Sequence, residues 1–120
     1  MGYRSEVAVI VKKEDYEKYI KGNSDFIQLM NNAEVTKNDN LVMIYWDWIK
    51  WYPEYIDISK FESALHCIAD CGHPYAFTRI GEERTDIDVI EEPGENDEYL
   101  GAHIYPVTYI DRPTDWENIN

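Results

Sequence analysis

Runs of apolar residues mark the strands and helices of the first third of the chain. Val7 to Val11 is apolar at every position, which predicts a strand covered on both faces. Glu14 to Ile20 places two tyrosines and an isoleucine on one helical stripe, and Gly22 ends that helix. Asn23 or Ser24 can cap a second short helix. Its apolar positions are Phe26, Ile27 and Met30, and a polar loop is predicted for Asn31 to Asn40.

The middle of the chain carries the clearest strand and the longest helix. Leu41 to Tyr52 (LVMIYWDWIKWY) has aromatic and β-branched residues at both odd and even positions, and so on both faces of a strand. This predicts a central strand that ends before Pro53. A third helix follows, with either Asp57 or Ser59 as its N-cap, and Gly72 supplies the left-handed residue after it. The residues expected to face the core are Phe61, Leu65 and Ile68.

The last third of the chain predicts three more strands separated by turns. These strands are Tyr75 to Ile80, Asp86 to Ile90 and Gly101 to Ile110. A hairpin turn at Gly81 to Arg84 joins the first two, and a longer turn spans Glu92 to Asp97. Pro106 places the final strand at the edge of the sheet, because proline cannot donate a hydrogen bond to a neighbouring strand.

This order of elements, β-α-α-β-α-β-β-β, predicts an α+β fold. We expect a single two-layer domain over residues 1–120, in which about three helices cover a mainly antiparallel five-stranded sheet. A chain of 120 residues with 44% hydrophobic content is large enough to bury a core. Neither an internal repeat nor a Ser/Gly linker divides the sequence.

The distribution of charge restricts the kinds of partner that the protein can bind. Residues 1–38 carry six basic and six acidic groups, whereas residues 39–120 carry five against eighteen and so account for the whole net charge of −13. Glu82 to Glu98 alone holds nine carboxylates and one basic residue, Arg84. Such a field repels phosphate and attracts basic surfaces. Direct binding to nucleic acid or to an anionic membrane is therefore not expected, whereas a basic protein partner is.

The start of the chain and its cysteines favour a cytoplasmic location. Only five apolar residues, Val7 to Val11, follow the first charges, which is too short for the core of a signal peptide or for a membrane span. Cys67 and Cys71 lie four residues apart in a predicted helix, without the spaced cysteine framework of secreted domains. We expect both thiols to be reduced.

No sequence pattern for catalysis or cofactor binding is present, so a non-enzymatic protein without a cofactor is predicted. The chain has no GxSxG elbow and no phosphate-binding glycine loop. A calcium loop starting at Asp86 is excluded, because Ile90 and Glu91 stand where an oxygen ligand and a glycine are needed. Zinc-ligand side chains occur together at His66, Cys67, Cys71 and His73. Packing of Cys71 as a small core residue is the preferred interpretation, although the sequence leaves metal binding by this cluster open.

Aromatic residues are concentrated in the strand Leu41 to Tyr52. Alternation along a strand puts Trp46 and Trp48 on the same face, which favours a role in the core. The alternative is that Trp51 and Tyr52 are exposed and anchor a protein partner, because aromatic side chains dominate the energy of protein interfaces.

Three short motifs in this order resemble a set of small acidic proteins encoded by bacteriophages and prophages. They are GYRSEVAV at Gly2 to Val9, IKWY at Ile49 to Tyr52 and FTRIGE at Phe77 to Glu82, the last followed by acidic residues. The resemblance implies an accessory protein made in the cytoplasm of an infected or lysogenic bacterial cell. It implies no activity and no residue roles.

These observations lead to the hypothesis of an inhibitor that binds a basic host protein, such as a nucleic-acid-binding defence nuclease of the CRISPR type, by charge mimicry. Acids alternating on one strand lie roughly 7 Å apart, whereas one DNA strand carries a charge every ~3.4 Å. Mimicry would therefore need a composite face that includes the tail acids Asp111, Asp115 and Glu117. The predicted partner-binding residues are Glu82, Glu83, Asp86, Asp88, Glu91, Glu92, Glu95, Asp97 and Glu98, with Trp51 and Tyr52.

Two other interpretations remain open at this point. The acids can serve only solubility, since charged loops and edge strands suppress aggregation. The protein can also be a structural or assembly component of a phage that self-associates through the aromatic strand or through the edge that contains Pro106. The sequence does not determine the oligomeric state.

Overall fold

Strand β1 (Ser5–Lys12) lies in the middle of the sheet, as its unbroken apolar pattern predicts. The computed structural model describes residues 2–83, 85–106 and 108–119 of the chain. β1 pairs antiparallel with β3 (Leu41–Ile49) on one side and with β4 (Tyr75–Gly81) on the other. Val7, Val9 and Val11 face one hydrophobic cluster, while Ala8 and Ile10 face a second on the opposite side. Both faces of the strand are therefore buried.

Three further strands complete a six-stranded antiparallel sheet within the described residues. β5 (Ile87–Glu92) pairs with β4 and forms one edge of the sheet. β2 (Glu34–Lys37) pairs with β3, and β8 (Glu117–Asn118) pairs with β2 at the other edge. The spatial order is β5-β4-β1-β3-β2-β8. The predicted α+β fold with an antiparallel sheet is confirmed, with six strands in the main sheet instead of five.

Helices cover one face of this sheet. Their bounds are α1 (Lys13–Asp15), which continues as a π-helical segment Tyr16–Ile20; a 3₁₀ turn Ser24–Phe26, which leads into α2 (Ile27–Asn31); and α3 (Ile56–Asp70). Asn23 caps the 3₁₀ turn by accepting a hydrogen bond from the backbone N–H of Asp25 at 3.0 Å. Gly72 adopts φ +81° after α3, in the left-handed region as predicted.

Four aromatic rings form the centre of the core on the helical face. Phe61 of α3 packs edge-on against Phe26 and Trp46 at centroid distances of 5.4 and 5.5 Å. Trp51 lies 5.1 Å from Trp46 and is also buried. The indole N–H of Trp46 donates to the backbone carbonyl of Leu29 at 3.0 Å, so its one polar atom is satisfied. The predicted core role of Trp46, and of Phe61 in α3, is confirmed.

The C-terminal segment covers the opposite face of the sheet. A 3₁₀ turn (Gly101–His103) is followed by a small two-stranded ribbon of β6 (Tyr105–Pro106) and β7 (Ile110–Asp111). Its buried side chains Leu100, Ile104 and Ile110 pack against Ala8, Ile10 and Met43 of the sheet. This non-helical layer was not expected, because it has no periodic apolar pattern and takes its position from the sheet beneath it.

Several predicted boundaries are wrong. The segment Asn31 to Asn40, which was expected to be a loop, contains β2. The apolar pattern of β2 is weak by itself, and the strand forms by pairing with the side of β3 that β1 leaves free. The strand expected to reach Tyr52 ends at Ile49. The strand expected over Gly101 to Ile110 is interrupted, because that segment folds back into the β6–β7 ribbon.

The starts of two helices also differ from the predictions. α3 begins at Ile56 with Tyr55 as its N-cap, without a side-chain cap. Asp57 lies inside the first turn, where it accepts from the backbone N–H of Ile58 at 2.8 Å. In α2 the core residue is Leu29, whereas Ile27 is 59% exposed. The 3₁₀ turn that precedes α2 rotates its apolar stripe by about one position.

Hydrogen bonds to Glu6 connect the C-terminal segment with the sheet. One carboxylate oxygen accepts the backbone N–H of Ile110 at 3.1 Å, and the other accepts the hydroxyl of Tyr45. The guanidinium of Arg112 lies 3.6 Å above the centre of the Tyr45 ring. Burial, followed by the hydrogen bond to Glu6, raises the pKa of Tyr45 well above its ordinary value. The hydroxyl therefore stays protonated as the donor in this contact.

The raised pKa of Tyr45 predicts a loss of stability in alkaline solution. A folded-state pKa above the unfolded value of about 10 means that this contribution is complete below pH ~10 and is lost as the pH rises toward the folded-state pKa. We expect Tyr45→Phe to lose about 1 kcal/mol at neutral pH, but to lose less additional stability between pH ~9 and ~11. Urea unfolding followed by circular dichroism measures both. If the free energy of unfolding fell equally with pH in the variant and the wild type, the role given to Tyr45 would be contradicted.

Candidate protein-binding surface

Strand β5 is the longest strand in the described part of the chain whose residues are all exposed. Each of its six residues, Ile87 to Glu92, is exposed. It pairs only with β4, and no described strand lies on its outer side. Three of the exposed positions are apolar: Ile87, Val89 and Ile90. An open edge of this kind is a template for pairing with another chain.

Four of the nine predicted acids are engaged within the protein. Arg79 lies between Asp86 and Asp88, with nitrogen–oxygen distances of 2.7 and 2.8 Å. Hydrogen bonds from Arg79 and then from the Tyr3 hydroxyl hold the pKa of Asp86 below its ordinary value. Glu82 accepts the backbone N–H of Arg4 at 2.7 Å, and Glu98 lies 3.1 Å from the ammonium of Lys12. These contacts stabilise the β4–β5 hairpin and hold the segment after β5 near the end of β1. The negative charge of the four acids is therefore partly compensated.

The carboxylates of the other five acids make no hydrogen bond or ion pair among the described residues, although the backbone N–H groups of Glu83 and Glu95 donate to Tyr3 and to Gly72. These acids are Glu83, Glu91, Glu92, Glu95 and Asp97. Four of them follow one another at the end of β5 and in the next turn, and we call Glu91, Glu92, Glu95 and Asp97 the acidic edge. Gly94 at φ +69° and Asp97 at φ +53° give that turn its shape. The acidic edge is therefore an uncompensated group of carboxylates beside an open strand.

The predicted composite face with the tail is wrong. Glu117 lies in β8, at the sheet edge opposite to β5, and Asp115 is two residues before it. Five strand spacings separate these edges, or about 24 Å. Asp111 lies in β7, in the layer over the middle of the sheet. The tail acids therefore cannot fill the gaps between the charges of β5.

The two aromatic residues predicted as anchors do not form an exposed pair. Trp51 is 6% exposed and belongs to the core, with its indole N–H donating to Glu62 at 3.1 Å. Its prediction as a surface anchor is wrong, because the chain turns inward after β3 and brings the ring against Phe61 and Phe77. Tyr52 is half-buried and lies 5.1 Å from the ring of Tyr55.

A small apolar notch next to β5 was not predicted from the sequence. It has a volume of about 130 Å³ and lies between α3 and the β4–β5 hairpin. Its lining is mostly apolar, and Glu62 and His66 are its charged or titratable members. The lining residues are Glu62, Leu65, His66, Tyr75, Phe77 and Ile90. The one indication of this notch in the sequence was Ile90, an apolar residue among acids on an edge strand.

Two acids lie in or beside the notch. Glu92 lies directly opposite Tyr75 in the β4–β5 ladder, so both side chains share the helical face. Burial, followed by the charges of Glu92 and Glu62, raises the pKa of Tyr75. The carboxylate of Glu62 lines the notch, and that of Glu92 lies near enough to act on Tyr75. The notch is much smaller than the ~300–1,000 Å³ of small-molecule pockets. It fits one side chain of a larger partner.

The cysteine and histidine cluster forms two separate contacts. Cys67 and Cys71 are free and exposed, so the prediction of Cys71 as a core residue is wrong. The Tyr19 hydroxyl lies 3.2 Å from the Cys71 sulfur, and this hydrogen bond, with burial, raises the pKa of Tyr19 to about 12. His73 Nδ1 lies 2.8 Å from the buried carboxylate of Asp15. The described residues include no group of three with the arrangement of a metal site.

Two exposed aromatic side chains lie near the start of α3. Trp48 is 55% exposed and lines a groove of about 570 Å³ with Tyr55. Ser5 pairs with Ile49 and Val7 with Trp46, so β3 has one extra residue here. Such a bulge reverses the alternation of side chains. It explains why Trp48 leaves the face that it was predicted to share with Trp46.

Both segments that were predicted to mediate self-association pair with other strands of the same chain. β3 pairs with β1 along its length and with β2 over Val42 to Tyr45, so its last four residues lack a described strand on the second side. Pro106 lies in the separate β6–β7 ribbon rather than at an edge of the main sheet. Neither element therefore offers a long open edge like that of β5.

Neither the scan against protein-family models nor the searches of curated proteins and of solved structures found a match to this chain. Among the described residues, no helix is long and apolar enough to cross a membrane.

Proposed function

We propose that the protein is a non-enzymatic binding protein whose acidic edge and strand β5 engage a basic partner. The observation that carries the proposal is the coincidence of uncompensated carboxylates with an open, fully exposed strand. Solubility alone accounts for exposed acids, but it does not account for Ile87, Val89 and Ile90, which are exposed between them. Apolar positions within a charged border are the usual composition of an interface.

The cellular setting is proposed from the phage-like motifs of the sequence. In that setting the protein acts in the bacterial cytoplasm as an accessory inhibitor, and its partner is a basic host protein such as a nucleic-acid-binding defence nuclease. The carboxylates of the acidic edge lie on one strand end and one turn, so they do not reproduce the charge density of a duplex. Obstruction of a basic surface by a protein edge fits this arrangement better than imitation of DNA.

Affinity capture from bacterial lysate with elution in a salt gradient tests this function. The acidic-edge variant is Glu92→Gln, Glu95→Gln and Asp97→Asn, in which asparagine keeps the left-handed conformation of position 97 accessible. We expect a basic partner of the wild type to bind the variant about tenfold more weakly and to elute at lower salt, because three rim charges are lost.

The control variant removes three charges elsewhere: Asp47→Asn, Glu54→Gln and Glu117→Gln. All three acids are exposed. Asp47 lies in β3 and Glu117 in β8, three and five strands away from β5, and Glu54 lies just before α3. Both variants have the same net charge, so a nonspecific effect of charge would weaken both equally. Equal loss in the two variants, or a partner whose capture does not depend on salt, would contradict the proposed site.

A further inference from the structure

We infer that β5 binds its partner by strand addition, accepting an extended segment in which basic and apolar residues alternate. This inference rests on the proposed function and specifies the chemistry of the partner. The added segment would extend the sheet beyond β5, its basic side chains would lie on the face of the notch, and its apolar side chains would lie on the other face.

The backbone of β5 is arranged for such an addition. The N–H of Gly81 donates to the carbonyl of Asp86 at 2.8 Å, while the N–H of Asp86 donates to Glu83 within the turn, so Gly81 and Asp86 occupy a hydrogen-bonded position of the ladder through one bond. Hydrogen-bonded pairs alternate along an antiparallel ladder, and the register continues without a shift to Tyr75 and Glu92. The N–H and C=O groups of Ile87, Val89 and Glu91 are therefore directed away from β4. They are the donors and acceptors that an added strand would use.

The two faces of β5 differ in chemistry. Asp88, Ile90 and Glu92 share the helical face with Arg79, Phe77 and Tyr75, whereas Ile87 and Val89 lie on the other face. On the helical face the notch has a mostly apolar lining that includes the carboxylate of Glu62, and Glu92 lies beside it, opposite Tyr75. A lysine or arginine side chain matches this combination, because its aliphatic stem packs on apolar surface while its charge reaches these carboxylates. On the other face, exposed Ile87 and Val89 match apolar side chains.

Charge argues against a second copy of this chain as the occupant. Pairing of β5 with another β5 would place two strands that each carry Asp88, Glu91 and Glu92 about 4.8 Å apart, and the repulsion between two negative strands opposes it. A basic segment removes that repulsion. Strand addition draws most of its affinity from backbone hydrogen bonds and its specificity from alternate side chains.

The test uses a synthetic peptide, acetyl-Ser-Lys-Val-Lys-Val-Lys-Ser-amide, titrated into the ¹⁵N-labelled full chain and followed by NMR. We expect saturable shifts and slower hydrogen exchange at the amides of Ile87, Val89 and Glu91. Val89→Pro should weaken binding about tenfold or more, because it removes an outward N–H. Proline is tolerated on an edge strand when its missing N–H faces away from the ladder. The matched control Val89→Ala keeps the N–H and should bind within about threefold of the wild type.

Two modified peptides make the test independent of how well the proline variant folds. One carries backbone N-methyl groups on both valines and the other on all three lysines. Successive N–H groups of an extended chain point to opposite sides, so strand addition requires one of these peptides to lose binding while the other keeps part of it. Equal binding of both, or no binding of the unmodified peptide, overturns strand addition.

The result also separates this inference from the proposed function. Binding that is lost in the acidic-edge variant but kept in Val89→Pro means that the acids bind a basic partner without an added strand, and the inference then fails alone. Protection of the outward amides of β5 at high protein concentration without peptide means that a second copy is the occupant, which also overturns the inference. Loss of lysate capture specificity, with peptide binding intact, overturns the proposed site in the cell.

Discussion

Replacement of Trp46 by alanine is expected to lower the free energy of unfolding by about 3–5 kcal/mol. Trp46 is 1% exposed and packs against Trp51 and Phe61. Its removal leaves a cavity at the centre of the aromatic core and deprives the backbone carbonyl of Leu29 of its indole donor. Urea unfolding monitored by far-ultraviolet circular dichroism measures this loss.

Trp48→Ala is the matched control, since it makes the same chemical change two residues further along β3. Trp48 is 55% exposed, because the bulge opposite β1 turns it out of the core. We expect its replacement to change the free energy of unfolding by no more than about 0.5 kcal/mol. Similar losses in the two variants would mean that β3 continues without a bulge and that both indoles are buried.

Replacement of Ile104 by alanine is expected to cost about 2–5 kcal/mol. Ile104 is fully buried in the C-terminal layer, and its backbone carbonyl accepts the hydroxyl of Thr78 at 3.3 Å. A cavity here would separate this layer from Ile10 and Met43 of the sheet. Chemical unfolding gives the loss, and hydrogen exchange should show faster opening of the β6–β7 ribbon than of β1.

Tyr105→Ala tests the same segment at an exposed position. Tyr105 is 62% exposed and adjacent to Ile104. A change within about 0.5 kcal/mol is expected. A small effect of Ile104→Ala, equal to that of Tyr105→Ala, would show that the C-terminal segment does not form a packed layer on the sheet.

The elements that the sequence predicted well are those with strong local patterns. β1, β4 and α3 have apolar runs or stripes long enough to decide both their type and their buried face, and the structure confirms them. β2 has only Val35 and Thr36 buried among polar residues, and β8 is two residues long. Such strands form because a neighbouring edge offers hydrogen bonds, and that neighbour is remote in sequence.

The candidate site was predicted in part. Exposure of Glu91, Glu92, Glu95 and Asp97 follows from their charge, since unpaired carboxylates stay in water. Their separation from Asp86 and Asp88 did not follow, because the position of Arg79 across the hairpin decides which acids are compensated. The notch was also not predictable, because its floor comes from α3 and β4, which meet only in the folded chain.

The sequence by itself determined the α+β class, the central position of β1, the helical face of α3 and the location of the excess negative charge. Apolar periodicity and charge are local properties, and they act on each element independently of its partners. Only the tertiary structure decided which edge of the sheet remains open, which acids lack a partner and which tryptophans are buried. Those outcomes depend on strand order, on register and on one bulge, each of which is set by contacts between residues far apart in the chain.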